Sequence, residues 1–79
     1  MTKTASSSAL RIYALAHDYA VKAVGKDVFN FQNDRVKHAL VAVQIIYLVG
    51  AQDEDSPAEK RLDLLFQLQC LNGEQYGLA

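Results

Sequence analysis

Two histidines, one cysteine and a run of three acids are the side chains of this 79-residue sequence whose types could support chemistry. A zinc centre needs ligands paired at short spacing, so that the local backbone holds each pair in place. His17, His38 and Cys70 stand singly on three separate segments and form no such pair. Asp53, Glu54 and Asp55 are adjacent, but the glycine and distal glutamate of a calcium loop are missing. Their position just ahead of an expected helix start has a local cause, because the positive end of a helix dipole favours acids there. The sequence contains no glycine-rich phosphate loop and no nucleophile-elbow pattern. These residues point to a protein that is not an enzyme and uses no metal or cofactor. His38, among Asp34, Arg35 and Lys37, is expected in solvent, and Cys70 is expected to pack as a small buried apolar residue.

Charge narrows the partner classes. Eight Lys and Arg stand against nine Asp and Glu, a formal net charge of -1, which gives none of the cationic surplus that a phosphate backbone rewards. A helix-turn-helix also needs a turn of about 3–4 residues before a polar, basic recognition helix. The connection "GKDVFNFQND" is longer than that, and the segment after it is apolar. Nucleic acid is therefore not the expected partner; if a DNA-binding regulator were the answer, Arg35, Lys37 and His38 would carry it.

These residues must be positioned by helices. Gly25, Gly50 with Pro57, and Asn72 with Gly73 punctuate a chain otherwise rich in Ala, Leu and Val at helical spacing, so the fold class is all-α. Helices are expected over about 8–24, 33–49 and 57–71, making a three-helix, antiparallel, bundle-like protomer in a single domain over 1–79 with flexible ends at about 1–6 and 74–79. One of Ser6, Ser7 and Ser8 caps the first helix, and Gly25 ends it in a left-handed conformation. Arg11, Asp18 and Lys22 form its wet stripe, opposite the small residues Ala9, Ala16, Ala20 and Ala23. Phe29 and Phe31 are expected to plug the bundle end. Ser56, Pro57 and Glu59 form a capping box for the third helix, whose wet stripe is Lys60, Asp63 and Gln67, and Asn72-Gly73 closes it.

The second helix raises the functional question. From Ala39 to Val49 apolar residues cover every direction around the axis except at Gln44. A helix that is hydrophobic all round is a buried one, yet in a bundle of three helices each shows a side to water. A chain of 8.7 kDa has a thin core, with a folded surface of about 4,700 Å² against about 12,600 Å² unfolded. Pairing two copies resolves the conflict, so the sequence predicts a homodimer, with Val41, Gln44, Tyr47 and Leu48 at the interface and Gln44 at or near the two-fold axis. A lone amide in an apolar helix can fix register in this way.

Recognition is the function left to a helical scaffold without chemistry. The expected role is a small protein-binding module, an inhibitor, antagonist or adaptor that occupies a partner protein's surface, of the kind carried by phage or other accessory elements. Leu64, Gln67, Leu68, Leu71 and Tyr76, with Glu74 at the rim, are its candidate contacts. The alternatives are a small DNA-binding regulator and a self-assembling structural subunit. A lone cysteine forms no internal disulfide, which points to the cytoplasm. The apolar run near the N-terminus is broken by Arg11 and spans about five residues where a secretory signal needs about 7–15, and residues 39–51 fall short of the roughly 20 that cross a bilayer, so no membrane partner is expected.

Overall fold

The computed structural model describes residues 6–51 and 57–78. It is all-helical, with four helices: α1 (Ser7–Val24), α2 (Lys26–Phe31), α3 (Asp34–Gly50) and α4 (Ala58–Gln75). Among the described residues there is no strand. The expected cap Ser56 and the acids Asp53, Glu54 and Asp55 lie outside the described residues, as does most of the expected N-terminal tail.

Local chemistry sets most of the boundaries. Ser6 caps α1, its Oγ accepting from the Ala9 N–H at 3.1 Å, and Asn33 caps α3, its Oδ1 accepting from Val36 N–H at 3.0 Å. Gly25 ends α1 with φ 93° and ψ 143°, a backbone that favours glycine, but this is not the left-handed cap expected of it. The chain re-enters a helix at once, so Gly25 is a one-residue hinge between α1 and α2. That extra helix corrects the three-helix count and also divides the two phenylalanines. Residues two apart on a helix point about 200° away from each other, and accordingly Phe29 is buried while Phe31 is 89% exposed.

α4 begins where Pro57 offers its carbonyl to the N–H groups of Lys60 and Arg61. It does not stop at Asn72-Gly73 but runs on to Gln75, burying both of those residues. The stop is Gly77, at φ 66°, with the Leu78 N–H donating to the Gly73 carbonyl at 2.8 Å and the Gly77 N–H to that of Glu74 at 3.3 Å. This is the Schellman arrangement, in which a left-handed glycine lets two carbonyls of the last turn find donors. Residues 74–78 of the expected tail form the last residues of α4 and its cap.

Each of the three long helices contacts the other two, and α2 packs on α1. The core is Ala9, Ala16 and Ala20 of α1, Phe29 of α2, Val41, Ile45 and Val49 of α3, and Leu68 of α4. Three alanines in a row let α3 come close; Ala23, expected to extend that row, is exposed instead. Arg11, Asp18 and Lys22 are on the wet side, with Lys22 Nζ 2.9 Å from Asp18 Oδ2. Cys70 is exposed, contrary to its expected burial, because it lies on the side of α4 away from Leu68. The thinnest dimension, 17 Å between Cα extremes, holds two helix layers at the usual spacing of roughly 8–10 Å and no third.

Candidate functional site

Two regions could carry function, a polar cluster at the C-terminal end of α4 and a bare apolar face on α3. The cluster is built on residues 68, 72 and 76, one turn apart on α4 and its cap, which bring Asn72 and Tyr76 onto the same side as the buried Leu68. Tyr13 Oη of α1 donates to Asn72 Oδ1 at 3.1 Å, and Asn72 Nδ2 donates to the His38 carbonyl of α3 at 2.9 Å. One wholly buried amide therefore joins the three long helices. Tyr76 Oη and His17 Nε2 share a hydrogen bond of 2.7 Å, with the two rings stacked at 6.2 Å and 8°. Phe29 stands edge-on to His17 at 5.3 Å, and Lys37 Nζ lies 5.8 Å over the Phe29 ring.

The electrostatics of this cluster are structural. Burial pushes the Tyr13 hydroxyl up to about 12, with Tyr76 adding to the effect. Tyr76 is pushed up as well, by burial first and by the charge of Asp34 second. Both phenols stay neutral at physiological pH, so neither supplies a tyrosinate base. Among the described residues no buried side-chain nitrogen or oxygen lacks a hydrogen-bond partner, and no group of three His, Cys, Asp or Glu could hold a metal ion. The arrangement holds the three long helices together.

α3 has two unlike faces. Val41, Ile45 and Val49, one turn apart, point inward. On the other side Val36, Ala39, Val43, Ile46, Tyr47 and Gly50 fall within an arc of about 100°, and every one of them is exposed. Val43, Ile46 and Tyr47 expose 60%, 59% and 72% of their surface. The stripe contains no polar side chain apart from the Tyr47 hydroxyl. Gln44 is half-buried at the border between the two faces. Past Gly50, an open depression of about 270 Å³ is lined by Val49, Gly50, Ala58, Arg61, Leu62 and Leu65; Leu62 is exposed, as is Phe66, one turn further along α4.

The residues expected at a dimer interface do not share one face. Tyr47 is outward, Gln44 and Leu48 are intermediate, and Val41 is wholly buried within the chain, since it lies one turn from Ile45 on the inner row. The residues expected to meet a partner turn inward as well. Leu68 has no exposed surface, and Leu64, Leu71 and Tyr76 pack against the core. Gln67 is held by the Ser6 N–H, which donates to its Oε1 at 3.0 Å, while its own Nε2 donates to Asp63 Oδ2 at 2.8 Å. Glu74 is exposed at that end. Of the DNA-reading set, Arg35 is exposed, Lys37 lies over Phe29 and the His38 carbonyl is taken by Asn72. Sequence reasoning missed Val43 and Ile46 as outward positions. It also missed Asn72, for which the four-residue spacing of Leu64, Leu68, Asn72 and Tyr76 was the available signal.

Among the described residues no helix is long and apolar enough to cross a membrane. The chain matches no protein-family model, no curated protein and no solved structure.

Proposed function

We propose that this chain is a non-enzymatic protein-binding module whose three long helices form a bundle-like, antiparallel protomer that works as a homodimer in the cytoplasm. It acts as an inhibitor, antagonist or adaptor by covering part of a partner protein. The observation that carries this reading is the outer face of α3, where six consecutive outward positions are apolar or glycine and stand in water in the single chain. Exposed patches of this kind mark interaction surfaces in soluble proteins. A second copy covers the stripe. The depression past Gly50, with Leu62 and Arg61 in its wall and the exposed Phe66 one turn from Leu62 on α4, is left for an apolar side chain of the partner, the usual geometry of an interface anchor.

Sedimentation velocity across a wide concentration range tests the reading. A fixed dimer is expected. A monomer at high micromolar concentration removes the basis of the proposal, and growth beyond the dimer favours a self-assembling subunit. Phe66→Asp and Leu62→Asp should leave the dimer intact while abolishing capture of a protein partner that the unsubstituted chain binds. A salt-dependent shift of duplex DNA, weakened by Arg35→Ala, would instead favour the regulator.

A further inference from the structure

We propose that Tyr76 is the residue through which this chain is modified by nitrogen dioxide, a one-electron oxidant, with His17 taking the phenolic proton across their shared hydrogen bond. Tyr76 Oη lies 2.7 Å from His17 Nε2, and the two rings stack at 8°. A phenol is a better hydrogen-bond donor than a neutral imidazole, so the O–H donates, Nε2 accepts, and the ring keeps its own proton on Nδ1. A phenol that loses an electron becomes a strong acid. Its proton must leave with the electron, and a base already at hydrogen-bond distance takes it without waiting for water or buffer. Burial, with the charge of Asp34 second, holds Tyr76 in its neutral form, which closes the alternative route through tyrosinate.

The step balances between the pair and the oxidant. One electron passes from the phenol to nitrogen dioxide, which becomes nitrite, and the O–H bond breaks as an N–H bond forms at His17 Nε2. A second nitrogen dioxide joins the neutral phenoxyl radical at the ring carbon next to the oxygen. The hydrogen of that carbon then leaves as a proton while the oxygen regains one, giving 3-nitrotyrosine. The other tyrosines are placed differently. Tyr19 and Tyr47, 43% and 72% exposed, have no base held against their hydroxyls among the described residues. Tyr13 is the closer control, half-buried and hydrogen-bonded like Tyr76, but its acceptor is the Asn72 amide oxygen, which takes up no proton at neutral pH. Proton transfer to a positioned base is worth about 10²–10⁴-fold in rate. That outweighs the greater exposure of Tyr47.

Nitration mapping tests the assignment. Nitrogen dioxide is generated by radiolysis of buffered nitrite, in a Cys70→Ala chain so that the exposed thiol does not take the oxidant. Peptide mass spectrometry then divides the nitro label among the four tyrosines. In the folded chain Tyr76 should carry at least about tenfold more label than Tyr13, a modest share of what a positioned base supplies. It should also exceed Tyr19 and Tyr47, and in urea the four should become level. His17→Phe keeps a flat ring against Tyr76 and removes the proton acceptor; with helix content unchanged in circular dichroism, the label on Tyr76 should fall to the level of Tyr13. Label ranked by exposure in the folded chain, with Tyr47 first, overturns the proposal. So does a preference for Tyr76 that survives His17→Phe. If that variant does not fold, the comparison of Tyr76 with Tyr13 in the folded parent decides alone, because both are half-buried and donate to different acceptors.

Discussion

The inner and outer faces of α3 are made of nearly the same residues and meet opposite fates. Val41, Ile45 and Val49 are buried against the other helices, whereas Val43, Ile46 and Tyr47, turned half a circle away, stand in water. Amino-acid type cannot separate the two rows. What separates them is supply: α1 and α4 between them cover one side of α3, and a body two helix layers thick has nothing left for the other. An apolar side chain is therefore a poor guide to burial in a chain this short, and the number of neighbouring elements is the better one.

Substitution of adjacent isoleucines breaks the comparison most directly. Ile45→Ala should cost about 2–5 kcal/mol in urea unfolding, through lost transfer energy and a cavity. Ile46→Ala, measured at a concentration low enough to keep the chain monomeric, should change stability by no more than about 0.5 kcal/mol. Equal effects would mean that the outer face is covered within the single chain. Asn72→Leu comes next, at about 1–3 kcal/mol, because the partly buried Tyr13 hydroxyl and His38 carbonyl both lose their partner.

Alkaline titration probes the inner side further. The folded Tyr13 ionises at about 12 rather than 10, so its contribution to stability is complete below pH 10 and is lost as pH rises toward 12. Tyr76 shifts in the same direction. Denaturant midpoints should therefore fall across that window for the natural chain, and Tyr13→Phe should flatten the fall. Gln44→Leu, on the border of the two faces, should keep the fold and move the dimer midpoint in sedimentation; no movement would place the residue outside the interface. Asp18→Ala should have the smallest effect, with no measurable change in melting, since its partner Lys22 is fully in solvent.

The sequence was readable where local chemistry decides the outcome. Ser6, one of the three serines expected to cap α1, does so, and the alanine row of α1 packs as its spacing implies, except at Ala23. It was misleading where tertiary contacts overrule a local signal. Asn72-Gly73 has the composition of a helix stop, but the Asn72 amide is wanted by Tyr13 and His38, and the helix runs on to place it. Gly25 does end α1, but the six residues of α2 that follow it at once are too few for any periodicity to show. For the candidate surface, the excess of apolar residues on α3 could be read from sequence, whereas the side of the helix that faces outward could not. The amide that the core uses is Asn72; Gln44 sits at its margin.

The bonds from Tyr13 to Asn72 and from His17 to Tyr76 each join residues 59 positions apart. During synthesis, the first cannot close before residue 72 has emerged from the ribosome and the second not before residue 76, so the nascent chain passes through an interval in which α1 and α3 are complete and their clasp is missing. Contacts of such long range are closed late in folding, and greasy segments left open in that interval invite aggregation. Until α4 arrives, α3 has only α1 to cover it, so the side that α4 will take stays open throughout that delay.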